Sequence, residues 1–391
     1  MDKILSPWRQ SKLLNTLFFS NIFLAFHYSL IVYVNSSLLN NFFDAAQISS
    51  LYIVGSIVTT IILLNASKLL ERIGLYKFTL YTLIFELISI VGLFVSNSAF
   101  LIGVHFLIHH IFISVLYFNM DIYIEKIAPD KEFVGSIRAT YLTISNLTII
   151  VAPTIVSFLI IQKYYGYVYM LSAILIVPVF LLLSKFKKIE AGKVKHVNMR
   201  ETLTEYLCNK NLYNIFIANF LLQLFYAYMI VYMPIYLSNY IGFSWSEIGI
   251  IFTIMLLPFI LFELPLGEME DSTFGEKEFL IIGLIIMGLS TIFISFITAK
   301  IFWIWATVLF ITRIGASFVE ISSETYFFKK IKPDQTNLVS FFRASRPLSF
   351  VIAPILATIT FELLPFQYIF MILGTILIIG TKWAIAIEDT K

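Results

Sequence analysis

Arg313 stands inside an apolar run, in Thr312-Arg313-Ile-Gly315, and its guanidinium cannot shed a proton to escape desolvation. It needs a carboxylate, backbone carbonyls, water or an anionic substrate. Either a substrate-binding or coupling role or a structural ion pair would supply one. Histidines recur in similar surroundings: His27, and the group His105, His109 and His110. Imidazole titrates near neutral pH, so His109 is a candidate carrier of a coupling proton. His105 and His109, four residues apart, share a helix face as metal ligands do. No acidic or Cys ligand lies near them in sequence, so cavity lining or ordinary packing is expected rather than a metal. Asn219, Gln223 and Tyr226 fall at i, i+4 and i+7, a polar stripe that would face substrate or bond to a neighbouring helix. Asn21, about two turns from His27, poses the same choice.

The elements that carry these residues must lie in lipid. Of 391 residues, 59% are hydrophobic and 13% charged, with 39 Phe and 21 Tyr, more apolar surface than one soluble core can hide. The mean hydropathy is +0.89. The net charge of +3 is mild and gives no sign of a nucleic-acid partner. A lone Cys208 excludes an intramolecular disulfide and a CxxC metal site. The first apolar segment lacks a small-residue cleavage site and reads as a membrane helix, not a signal peptide.

Apolar runs long enough to span the bilayer predict twelve helices, at 13–34, 45–67, 78–96, 100–120, 136–161, 165–184, 212–237, 245–266, 278–298, 301–322, 338–360 and 366–387. Basic residues gather in alternate loops: Lys68, Arg72 and Lys77; Lys126, Lys131 and Arg138; Lys329, Lys330 and Lys332. The segment 185–211 adds Lys185, Lys187, Lys188, Lys193, Lys195, Arg200 and Lys210. The intervening loops hold only Lys163 and Lys300. The positive-inside rule then places both termini and the central segment in the cytoplasm of a multi-pass protein of the cell membrane. Within that segment, Met199 onward is amphipathic, with Leu203, Tyr206 and Leu207 on one face. The expected organisation is a six-helix bundle (1–184), a linker with a surface helix (185–211), and a second bundle (212–391).

The two halves repeat at a shift near 200 residues. Asp44-Ala-Ala-Gln-Ile matches Ser244-Trp-Ser-Glu-Ile, and both are helix-capping openings. Ile31-Val-Tyr-Val matches Ile230-Val-Tyr-Met, Ile127-Ala-Pro-Asp matches Ile331-Lys-Pro-Asp, and Arg138-Ala-Thr matches Arg343-Ala-Ser. Ala152-Pro153 matches Ala353-Pro354. By the proline match, His109 and Arg313 occupy equivalent places in the two halves, which predicts similar depth on opposite walls of one cavity.

With twelve helices, a six-plus-six duplication and a basic central loop, the chain resembles the major facilitator superfamily. That family's motif between helices two and three appears as Glu71-Arg72-Ile-Gly74, with Glu for Asp and without the first Gly or the later Arg residues. Its counterpart after helix eight keeps Gly267, Asp271, Gly275 and Lys277. The resemblance implies an all-α membrane fold of two pseudo-symmetric bundles. It also implies a central cavity lined by helices one, four, seven and ten. It places helix three on the lipid-facing periphery, which lowers the rank of Glu86 although it lies mid-membrane. Glu320 and Glu324, facing Asp121, are expected to form gate ion pairs with Arg138, Arg343 or Arg346 near the cytoplasmic side.

The expected function is alternating-access transport of a small molecule by a monomer among membrane lipids, driven by protons and leaning to export of neutral or amphipathic compounds. Uptake of a sugar-like solute is the close alternative. A non-transporting lipid-handling protein and a histidine-metal intramembrane enzyme are the distant ones. No GxxxxGK[ST] motif supports ATP use, and no cofactor is expected.

Overall fold

The computed structural model is all-helical and describes residues 7–127, 131–160, 164–189, 199–262, 275–331 and 336–388. Its membrane helices, numbered here in chain order, are α1 (Pro7–Ile31), α2 (Ala45–Leu64), α3 (Leu75–Val95), α4 (Ala99–Ile127), α5 (Lys131–Leu159) and α6 (Gly166–Leu183), then α7 (Lys210–Val231), α8 (Trp245–Leu256), α9 (Glu276–Ile294), α10 (Phe302–Lys330), α11 (Ser345–Leu363) and α12 (Tyr368–Ile385). Among the described residues, 11 spans are long and apolar enough to cross a membrane, and α5 contributes a shorter apolar stretch, Thr143–Leu159. The helices fall where hydropathy predicts, but α4 and α10 run past residues 120 and 322 to Ile127 and Lys330. Their last turns carry Asp121, Lys126, Glu324, Lys329 and Lys330, polar residues that stay helical beyond the hydrocarbon.

The repeated openings of α2 and α8 act as expected of capping residues. Asp44 Oδ1 accepts from the Gln47 N–H at 2.8 Å and Gln47 Oε1 accepts from the Asp44 N–H at 3.0 Å. Ser244 and Glu247 form the same reciprocal pair. Gly74, at φ 83°, turns the chain from the short helix Ala66–Ile73 into α3, a backbone conformation that side chains other than glycine's resist. Pro153, Pro178 and Pro354 sit inside continuous helices.

By contacts, the chain divides into a first unit, Met1–Phe43 with Val54–His196, and a second, Asp44–Ile53 with Val197–Lys391. In the first unit α1 packs on α5 and α6, while α3 packs on α4 and α6. Helix α3 has two unlike faces. Tyr81, Ile84, Phe85, Ile88 and Val91 are exposed, while Thr79, Thr82, Glu86 and Ser89 are buried. The hydroxyls of Thr79, Thr82 and Ser89 bond back to carbonyls of their own helix. Glu86 has no such option and must find partners on other helices. Helix α3 thus combines an exposed apolar face, as a peripheral helix would have, with an inner face that carries a buried carboxylate.

In the second unit α9 packs tightly on α10 and α12. The approach relies on glycine: a Cβ on Gly315 would come within 2.5 Å of the Met287 nitrogen and 2.6 Å of the Gly283 oxygen. Gly288 and Gly374 make the equivalent contact between α9 and α12. The helix Met199–Cys208 divides the apolar arc expected of it. Tyr206 turns inward, packs on Phe216 and Phe341 and donates its hydroxyl to the Leu338 carbonyl at 2.8 Å, and burial pushes the pKa of that hydroxyl up. Leu203 and Leu207 stay outside.

Gly315→Ala is expected to lower stability by about 1–3 kcal/mol through overpacking against backbone that cannot yield. Thermal unfolding in detergent checks this, with Gly242→Ala as a control at a position of positive φ but open space.

Candidate functional site

Glu86 lies at the centre of a buried cluster in the first unit. Its Oε1 is 3.0 Å from His27 Nε2 on α1 and 2.5 Å from His109 Nδ1 on α4. His27 and Glu86 are 0% exposed and His109 2%. The two rings meet edge-on with centroids 6.5 Å apart. Each ring is held from behind. His27 Nδ1 faces the carbonyl and hydroxyl of Ser172 on α6, at 3.0 and 2.8 Å. His109 Nε2 faces the Asn35 amide at 3.2 Å, and Tyr169 Oη donates to Asn35 Oδ1 at 2.7 Å. Three ligand-type atoms within 4.8 Å of one another also meet the spacing a divalent ion would need. Here both rings close on a single carboxylate oxygen, so hydrogen bonding alone accounts for the arrangement.

The second unit holds Arg313, 1% exposed, with its guanidinium 5.0 Å from the Phe225 ring and 5.2 Å from the Tyr226 ring. Aromatic faces offer a cation negative potential at low dielectric. Tyr226 donates its hydroxyl to Glu320 Oε2 at 2.7 Å, which ties α7 to α10. Gln223 is half-buried on the same helix. Asn219 instead donates to Ser345 Oγ on α11 at 2.8 Å, as an interhelical bond. Asn21 does the same in the first unit, donating to the Tyr141 carbonyl at 2.8 Å and to Ser145 Oγ at 3.2 Å on α5. Asn219 stands 198 residues beyond Asn21, and Phe225 stands 198 beyond His27. The repeat thus carries the same contacts in both units, and it sets His27 against His109 in one and Phe225 against Arg313 in the other.

Other residues singled out by sequence are placed elsewhere. The ring of His105 lies against Gly92 of α3, away from the triad, and His110 bonds Ser56 at 2.9 Å. Arg343 makes a two-pronged ion pair with Glu324, its Nη2–Oε2 contact being 3.0 Å. Asp121 is half-buried on α4, and Glu71 and Arg72 are exposed. Gly275 caps α9. Gly267 and Asp271, and the side chain of Arg138, lie outside the described residues. Glu86, which sequence reasoning set below the other candidates, is the residue that the structure encloses between two imidazoles. Its signal was present: Thr79, Thr82, Glu86 and Ser89 follow 3–4–3 spacing on an otherwise apolar helix, which marks an inward face.

Two substitutions should separate buried from exposed pairing. Glu86→Ala strips both imidazoles of their acceptor and is expected to cost about 3–5 kcal/mol. Arg343→Ala, at a half-exposed pair, should cost at most about 1 kcal/mol. Unfolding midpoints measured side by side check the order.

The sequence profile of the Major Facilitator Superfamily matches residues 17–246 and 215–390. No curated protein matches the sequence significantly. Among solved structures, a mutant of the nucleoside transporter NupG superposes with a TM-score of 0.73 at 14% identity, covering 96% of this chain and 99% of that one. A POT family transporter, solved in complex with a thioalcohol-conjugated peptide, superposes with a TM-score of 0.74 at 14% identity, covering 94% of each chain. Such low identity speaks to the fold, and the fold agrees with the profile along the whole length. The chain belongs to the Major Facilitator Superfamily and is a multi-pass secondary transporter of that fold.

Proposed function

We propose that this transporter uses a proton gradient to export small neutral or amphipathic molecules, acting as a monomer in the cell membrane with both termini in the cytoplasm. The observation that carries the reading is the group of Arg313 and Phe225, both buried, with the half-buried Tyr226 and Glu320 beside them. It offers aromatic surface for an apolar body and a few polar groups for orientation, the usual division of labour in a small-molecule site. An amphipathic compound enters a bilayer unaided, so useful work on it is directed outward. The ionisable groups enclosed in the first unit, His27, Glu86 and His109, support proton drive, because their charge can change with the conformational cycle.

A second reading, uptake of a polar solute such as a sugar, rests on the polar groups that Arg313, Tyr226 and Glu320 bring to one place. The similar structures are those of a nucleoside transporter and of a POT family protein with a peptide conjugate, so these chemistries belong in any screen.

Purified protein screened for thermal stabilisation against chloramphenicol, a neutral amphipathic compound, and against sugars, uridine and a dipeptide should respond to chloramphenicol. At 100 times its dissociation constant, a ligand adds about 2.7 kcal/mol. Arg313→Ala should abolish the response. Inside-out vesicles should then accumulate chloramphenicol only under an imposed pH gradient. Stabilisation by sugar, uridine or dipeptide alone would favour the second reading. A response that survives in Arg313→Ala would remove Arg313 from the site.

A further inference from the structure

The hydrogen bonds around Glu86 fix how many hydrogens the triad holds. The Asn35 amide oxygen accepts from Tyr169, which leaves its Nδ2 to donate to His109 Nε2. His109 therefore carries its hydrogen on Nδ1 and donates it to Glu86 Oε1. On the other side, His27 Nδ1 lies 3.0 Å from the Ser172 carbonyl, which can only accept, and 2.8 Å from the Ser172 hydroxyl, whose own hydrogen has the His27 carbonyl as an acceptor at 3.1 Å. A hydrogen on His27 Nδ1 satisfies all three contacts, whereas a bare Nδ1 would set its lone pair against the carbonyl oxygen, and we assign the hydrogen there. The 3.0 Å contact between His27 Nε2 and Glu86 Oε1 requires one more, seated on the ring or on the carboxyl. In either position the cluster is neutral as a whole.

We propose that His27, Glu86 and His109 are the seat of the coupling proton, with one dissociable proton per chain shared between Glu86 and His27. The assignment rests on the proton-driven reading above. Removing that proton leaves a net negative charge, and adding a second leaves a net positive one, in a cluster that is 0–2% exposed. A net charge there is costly in hydrocarbon. Proton exchange must then accompany a repacking of α1, α3, α4 and α6 that lets water or a counter-charge approach. The charged or titratable groups facing Glu86 are His27 from α1 and His109 from α4. Tyr169 of α6 acts through Asn35, and Ser172 of α6 adds no charge. Glu86 Oε2 is buried and accepts no hydrogen bond from the described residues, so the carboxylate keeps a vacant lone pair for an incoming proton. The proton belongs to the coupled pair rather than to either residue alone.

The test reads imidazole nitrogens by NMR in the full chain, labelled with 15N-histidine in nanodiscs, with infrared spectra of carboxyl groups on the same samples. At neutral pH His109 should show a neutral Nδ1–H ring. His27 should be doubly protonated or, failing that, Glu86 should show a carboxylic C=O band. Glu86→Gln should return His27 to a neutral ring. His27→Gln, the second variant should the first fail to fold, should move the proton onto Glu86 and bring up the carboxylic band. A neutral His27 beside an ionised Glu86 in the wild type would overturn the assignment, as would one equivalent of zinc bound to the cluster. In the chloramphenicol vesicles, Glu86→Gln should lose at least tenfold of the gradient-driven flux, and retained drive would refute the triad's role. Wild-type flux indifferent to the pH gradient, with the one-proton signature intact, would sink the coupled reading alone. Driven flux without that signature would sink the triad alone.

Discussion

A carboxylate enclosed in hydrocarbon must be met by hydrogen-bond donors or neutralised, and Glu86 is met by two imidazoles from different helices. That requirement organises the first unit. Helix α6 packs against both α1 and α3, and its Ser172 sets the orientation of His27 while its Tyr169 orients Asn35 behind His109. Helices α1, α3, α4 and α6 are thus joined through one polar centre in a bundle otherwise filled by Leu24, Leu83, Leu116 and Ile176. Apolar packing alone would leave such helices free to slide, because lipid tails compete equally well for their surfaces. A shared acceptor fixes their register.

The second unit uses the same scaffold for different chemistry. The Asn-to-α11 bond repeats the Asn-to-α5 bond, yet the pair that encloses a carboxylate in one unit places a guanidinium on aromatic rings in the other. Duplication preserved the helix contacts and freed the central positions to diverge.

Much of the fold was legible because hydrophobic length, loop charge and internal repetition each report it separately. The capping pairs at Asp44 and Ser244 could be named from the residue types alone. Helix ends were less visible, since the polar last turns of α4 and α10 leave no hydropathy signal. Glu86 was named but set low for a different reason. A helix position borrowed from the family speaks for a whole helix, whereas burial is decided face by face, and α3 has one face of each kind. Partners on α1 and α4, 59 and 23 residues away in sequence, have no local signature. The linker helix shows the same limit: its apolar residues were recognised, but not that Tyr206 would leave Leu203 and Leu207 for a carbonyl on the chain before α11.

The unlike faces of α3 also bear on how the protein is made. As α3 leaves the ribosome, an ionised Glu86 would oppose its entry into the bilayer by about 2.5–3.5 kcal/mol, against a helix otherwise rich in Leu, Ile and Phe. Helix α1 has already been synthesised, so His27 is at hand when Glu86 arrives, while His109 follows within the next helix. Ser172 comes last and locks a contact that earlier helices have begun. The order of the chain therefore shelters its most expensive side chain during biogenesis, and moving α1 to the far end by circular permutation would expose that cost to the insertion machinery.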